Sequence, residues 1–158
     1  MSFQTGEPEV TVELLRERLK GTFPGDIGIE PLEVSEERAR GRLVVDERHL
    51  HPGGYMHGGV WAAFADTVAA WGTWRNLTAG SDFTTIEMKL NVFAAAALGD
   101  ELICKARPLH VGRSTAVIEA EIYKGKKRVA NLIVTQFVLP GRDPRAERPA
   151  PGDYPPGD

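Results

Sequence analysis

The sequence holds one cysteine, Cys104, in 158 residues. A disulfide framework and a four-cysteine zinc site are therefore excluded. Neither charge sign is in excess: 19 Lys and Arg face 22 Asp and Glu, a formal net charge of -3. The strongly basic face expected of a nucleic-acid binder is missing. No apolar run approaches the roughly 18 residues that cross a bilayer. The opening MSFQTGEPEV has no basic start and no apolar stretch, so it does not read as a secretory signal. No segment repeats at a solenoid period. What remains is an ordinary globular composition, 42% hydrophobic and 26% charged, at a length that supports one core. The expectation is a cytoplasmic, single-domain protein with neither nucleic acid nor membrane as partner.

The clearest boundary lies at the C-terminus. Residues 140–158 carry six of the eleven prolines and three glycines. Such a segment buries too little apolar surface to offset the entropy of ordering, so a disordered tail is expected there. At the other end, Val10, Leu14, Leu15 and Leu19 form one stripe of a short amphipathic helix stopped by Gly21. Residues 1–24 therefore read as a helical cover, and residues 25–139 as the folded domain. Candidate strands are 27–34, 37–46, 84–92, 101–110, 114–123 and 128–139. In the third, Ile86, Met88, Leu90 and Val92 alternate with Thr85, Glu87, Lys89 and Asn91, the pattern of a half-buried strand. The KGKK segment, Lys124 to Lys127, reads as a solvated turn. Consecutive strands joined by short turns imply an antiparallel sheet. With one long apolar helix between the second and third strands, the fold class is α+β.

That helix, GGVWAAFADTVAAWGTW from Gly58 to Trp74, carries a single charge, Asp66. A helix apolar nearly all round is a buried helix. At about 100° per residue, Val60, Trp61, Phe64, Val68, Trp71 and Trp74 share one broad arc, and Asp66 points almost the opposite way. Its helical neighbours are Ala62, Ala63, Ala69 and Ala70, with Thr73 close by. A solvated face would carry several polar groups, whereas this one carries methyls that leave room for another molecule. An unpaired buried charge is costly, which points to a function. Burial raises the pKa of such a carboxylate, and donors aimed at it lower it.

The segment before the helix is HPGGYMHGG, His51 to Gly59. Its four glycines let the backbone approach a ligand closely. The helix start offers unpaired N–H groups and the positive end of the dipole, suited to a developing oxyanion. Gly58 and Asp66 lie eight residues apart, about 12 Å along one helix axis, and face different ways. One copy cannot bring both to one carbonyl. A two-fold pair of antiparallel helices would, giving two equivalent sites and an obligate dimer.

HGGVWAAFAD, His57 to Asp66, resembles the His-Gly-Gly, six residues, Asp signature of hotdog-fold acyl-CoA thioesterases of the PaaI (phenylacetate-pathway) type. The resemblance covers residues 25–139. It implies a long central helix wrapped by an antiparallel sheet of five to six strands, in homodimers and often homotetramers. It implies that the Gly58 N–H polarises the thioester carbonyl and that Asp66 acts as nucleophile or general base. By the same resemblance, Thr85 in TTIEM positions the attacking water. His51 stands where the family often has Asn. Similar arylacyl enzymes use Glu with Thr four residues later; Asp66 and Ala70 do not match that pattern. Coenzyme A, as part of the substrate and not a separate cofactor, is implied to lie near the loop from His110 through Gly112 to Ser114. There Arg113 would meet a phosphate and Ser114 a pantetheine or phosphate oxygen.

His49, His51 and His57 show no metal-ligand pattern, and the chemistry requires no metal. Asp46 and His51 have the D-x4-H spacing of hotdog enoyl-CoA hydratases, but Glu47-Arg48-His49-Leu50 lacks their usual Asn-Pro. A non-catalytic acyl-CoA-binding hotdog domain is the other alternative. Trp61, Trp71, Trp74 and Phe93 suggest an apolar or aromatic acyl pocket, although aromatics at helical spacing first signal core.

Overall fold

The computed structural model describes residues 9–78 and 80–140. Two short helices, α1 (Val12–Leu19) and α2 (Phe23–Asp26), precede strands β1 (Glu30–Val34) and β2 (Ala39–Val44). A 3₁₀ turn at Glu47–His49 and a glycine-rich loop lead into α3 (Gly58–Asn76). Then follow β3 (Ser81–Val92), β4 (Glu101–Val111), β5 (Thr115–Lys124) and β6 (Lys127–Pro140). The strands form one antiparallel sheet in the order β1-β2-β4-β5-β6-β3. This is the hotdog arrangement, with six strands curled against one long helix.

Local chemistry sets the ends of these elements. Thr11 caps α1, its hydroxyl accepting from Leu14 N–H at 3.2 Å. Gly125, at φ 57°, opens the two-residue turn between β5 and β6. The expected solvated turn there is flanked by ion pairs: Lys124 meets Asp100 at 2.9 Å, and Arg128 meets Glu121.

The core lies between α3 and the sheet. Trp61, Phe64, Ala65, Val68, Trp71 and Trp74 of the helix are buried against alternate residues of β4, β5 and β6, such as Leu102, Cys104, Ile118, Ile122, Leu132 and Val134. Full burial of Phe64 stabilises the fold by about 2–3 kcal/mol. Helix and sheet approach closely at β2. A Cβ on Gly41 would sit 2.6 Å from Val68 Cγ2 and 3.0 Å from Trp71 Cζ3. Glycine there allows α3 to bed down on the strand.

Three expectations change in detail. The boundary drawn between residues 24 and 25 falls inside α2, and Val10 and Leu15 are buried in the common core. Residues 1–8, and the Pro/Gly-rich tail beyond Pro140, lie outside the described residues. The first strand starts at Glu30, because residues 23–26 are helical and Ile27 caps that helix.

The larger correction concerns β3. It starts at Ser81, and a β-bulge between Thr85 and Glu87 breaks the alternation. Thr85 lies opposite Gln136, Glu87 opposite Thr135 and Met88 opposite Val134, so Ile86 is the extra residue. Directly opposed residues share a face. Thr85 therefore joins Met88, Leu90 and Val92 on the helix side, not the polar side that strict alternation assigned to it. Ile86 is 58% exposed. Met88 and Val92 are also exposed, because β3 is an edge strand and α3 packs chiefly on β4 and β5.

Candidate active site

Asp66 sits midway along α3 and is half-buried. Ala62, Ala63 and Ala70 around it are also half-buried, and Ala69 is fully buried. Among the described residues no cation pairs with it. Its Oδ1 accepts a hydrogen bond from Thr85 Oγ1 at 3.1 Å. Loss of solvent around the carboxylate raises its pKa, and the Thr85 hydroxyl pulls it partly back. Burial is the larger effect, so the group is less acidic than an ordinary aspartate.

Behind Thr85 stands Gln136, fully buried on β6. Its Nε2 lies 3.5 Å from Thr85 Oγ1. Its Oε1 accepts from the hydroxyl of Thr73, which is also fully buried on α3. A chain of polar groups thus runs from Thr73 through Gln136 and Thr85 to Asp66. Gln136 belongs to none of the motifs read from the sequence. The signal was present: Ala130, Leu132, Val134 and Gln136 alternate inward on β6, and an amide at such a position is out of place in an apolar layer.

His57 is the N-cap of α3. Its Nδ1 accepts from Gly59 N–H at 2.8 Å, and its carbonyl accepts from Val60 N–H at 2.9 Å. Among the described residues the N–H of Gly58 has no hydrogen-bond acceptor, and a Cβ on Gly58 would touch nothing within 4 Å. His51 likewise uses Nδ1 to accept from Gly53 N–H at 2.9 Å. In a neutral ring its Nε2 then carries the proton and can donate. His51, Tyr55, Gly58, Trp61, Val92 and Phe93 line an open cleft of about 460 Å³. Phe93 is exposed in it, whereas Trp71 and Trp74 belong to the core.

Asp66 and Thr85 do not line that cleft. The eight residues separating Gly58 from Asp66 keep them about 12 Å apart along the helix. The structure thus joins Asp66 to Thr85, and His51 to Gly58, but not the two pairs to each other within one chain. The β4–β5 hairpin lies further off. Gly112 and Arg113 line a separate cleft of about 380 Å³ with Asn76, Leu77, Thr78 and Ser81, at the C-terminal end of α3. That end is about 27 Å from Gly58 along the axis. His110 and Ser114 are exposed and do not line the cleft.

The other histidine has a structural role. His49 is buried, accepts from Asp46 N–H at 2.9 Å through Nδ1 and donates through Nε2 to the Ile27 carbonyl at 2.7 Å. Asp46 is held by Arg48, whose guanidinium lies 2.7 Å away and keeps its carboxyl below the usual range. No group of three His, Cys, Asp or Glu side chains among the described residues is placed to hold a metal ion. No helix among them is long and apolar enough to cross a membrane.

The sequence pattern of the thioesterase superfamily matches residues 53–131, half of the chain. Among known proteins, 1,4-dihydroxy-2-naphthoyl-CoA hydrolase of Listeria monocytogenes is 32% identical over 61% of this chain and 77% of its own. A thioesterase from Haemophilus influenzae shares the fold at a TM-score of 0.79 and 24% identity, covering 85% of this chain and 94% of that one. A mutant of the phenylacetic acid degradation protein PaaI from Thermus thermophilus does so at 0.67 and 24%, covering 73% and 96%. A lone helix carboxylate, a glycine helix start and this sheet thus meet in a chain that belongs to the thioesterase superfamily. It is a hotdog-fold thioester hydrolase.

Proposed function

We propose that the chain hydrolyses a small or aromatic acyl-CoA to the free acid and CoA, at two equivalent sites built across a homodimer. The observation that carries this reading is the Asp66 carboxylate, desolvated among alanines, without a cation and held by one hydroxyl. The Gly58 N–H polarises the thioester carbonyl. Asp66 attacks the carbonyl carbon directly, or takes a proton from the water that does, with Thr85 holding water and carboxylate in line. If Asp66 attacks, the C–S bond breaks as an acyl–aspartyl anhydride forms, and water then hydrolyses the anhydride to the acid. If Asp66 acts as base, the water adds to the carbonyl carbon and the C–S bond breaks. In both routes one water is consumed, its OH going to the acyl group and its proton to the sulfur of CoA. His51 donates from Nε2 to the carbonyl or the water. The cleft beside Gly58, with Phe93 and Trp61, takes the acyl group. The name of the Listeria relative, a naphthoyl-CoA hydrolase, supports an aromatic acyl group and a CoA carrier.

The distances support the dimer. Gly58 needs a carboxylate that its own chain holds about 12 Å away. β3 is an edge strand of 12 residues with Ile86, Met88 and Val92 exposed along it and Phe93 exposed just past its end. Such an edge asks for a partner. Pairing it with its two-fold mate sets the helices antiparallel and brings the partner's glycine loop toward Asp66. The Arg113 hairpin lies at the C-terminal end of α3, about 15 Å along the axis from Asp66, within the reach of a long carrier, and there it meets the phosphates of CoA. The hydratase reading is disfavoured because Asp46 is already held by Arg48 and its own backbone turn.

A panel of acyl-CoAs assayed for thiol release, with wild type and Asp66→Asn side by side, tests the proposal. Wild type turns over, and Asp66→Asn loses at least about 100-fold in kcat. Ligand binding without turnover would mark a binding domain instead, and crotonyl-CoA hydration surviving in Asp66→Asn would mark a hydratase.

A further inference from the structure

We infer that Gln136 is a positioning residue that fixes the direction of the Thr85 hydroxyl, so that its proton is given to Asp66. This rests on the hydrolase reading above. The donors and acceptors along the chain set its polarity. The Thr73 hydroxyl donates to Gln136 Oε1, which turns the amide so that Nε2 faces Thr85. An amide nitrogen can only donate. It therefore occupies a lone pair of Thr85 Oγ1, and the hydroxyl hydrogen points at Asp66 Oδ1, 3.1 Å away. Oδ1 is thereby tied, and Oδ2 is left for the reaction. Without the amide, the Thr85 hydroxyl is free to rotate and to accept from a water or from a protonated Asp66, which is the wrong polarity for a working base.

Among the described residues the Gln136 side chain makes no further hydrogen bond. It is fully buried, it lies directly opposite Thr85 across the β3–β6 ladder, and it occupies a position where alternation calls for an apolar side chain. A buried amide is tolerated only when bonded. Both of its bonds lead along this one chain. The bulge at Ile86 is what turns Thr85 inward to meet it.

Gln136→Leu keeps similar bulk and removes the donor. The expected result is a kcat lowered about tenfold, the scale of one well-placed hydrogen bond, with KM within about twofold of wild type. Because Gln136 acts through Thr85, adding Gln136→Leu to Thr85→Val lowers kcat no further. A merely structural amide would show its loss in both backgrounds. The inference is overturned if folded Gln136→Leu retains wild-type kcat while Asp66→Asn is inactive, or if the losses in the double variant multiply. Should Gln136→Leu not fold, Thr73→Val loosens the same amide and must lower kcat severalfold, and an unchanged kcat overturns the inference. Full activity in Asp66→Asn is a separate result, which would sink the role of Asp66 and this inference with it.

Discussion

Gly58→Pro separates the helix start's chemistry from its architecture. Gly58 is the first residue of α3, the position where proline is best tolerated because its N–H has no partner within the helix. His57 has φ -66° and ψ 143°, the extended conformation that a residue before proline adopts. The N–H lost is one the fold does not use. Stability is therefore expected to hold or to rise by about 0.4–1 kcal/mol through a stiffer unfolded chain. Activity should move the other way. Removing one oxyanion donor costs about 10²–10³ in kcat, or about 2.7–4 kcal/mol. Gly58→Ala keeps the N–H, and its methyl meets no protein atom within 4 Å, so it serves as the folded control that retains the donor and should lose less than Gly58→Pro. Thiol release measured beside thermal unfolding reads both quantities. Mixing Gly58→Pro with Asp66→Asn chains by refolding sharpens the test. Half of randomly formed dimers are mixed, each with one intact cross-subunit site, so about a quarter of wild-type activity returns. A folded Gly58→Pro enzyme within about threefold of wild type refutes the oxyanion role. Absence of recovery in the mixture refutes the shared site.

Three further outcomes follow from burial and packing. Asp66 has a raised pKa when folded, so its ionisation costs stability as pH climbs from the ordinary carboxylate value of about 3.9 through the folded one. Asp66→Asn should then melt a few degrees higher at pH 7, with the gain vanishing below about pH 4, as scanning calorimetry would show. For the same reason the acid limb of kcat/KM should lie above the ordinary carboxylate range; a limb at or below about pH 3.9 contradicts a desolvated Asp66. Gly41→Ala forces a methyl into Val68 and Trp71 and should cost about 1–3 kcal/mol in chemical denaturation, with no change in KM if the enzyme is assayed while folded.

Much of this molecule could be read before it was seen, and the reasons are local. The long helix was legible because Trp61, Phe64, Val68 and Trp71 repeat at its period, and Asp66 stood out because its surroundings were methyls. The hairpins were legible from glycine and lysine turns between alternating runs. What stayed hidden depended on pairing. Nothing in TTIEM distinguishes a regular strand from one with an extra residue at Ile86, so Thr85 was assigned to the wrong face while its role was taken from resemblance. The separation of the Gly58 cleft from Asp66 was legible as a rise along a helix, because rise depends on residue count alone. Gln136 escaped because a single glutamine in a strand is unremarkable until the strand's inward face is known.

The hydrogen bonding of His57 has a bearing on what the helix start will accept. Its ring takes the amide of Gly59 and its carbonyl those of Val60 and Trp61, so among the described residues the Gly58 N–H alone of the first turn has no acceptor. A phosphate, with several oxygens to satisfy, finds a monodentate host there and gains little. A lone carbonyl oxygen finds what it needs. On the acyl-CoA reading proposed above, the imidazole would act as a valency filter, steering the phosphorylated end of the substrate away from the mouth where its reactive end must enter.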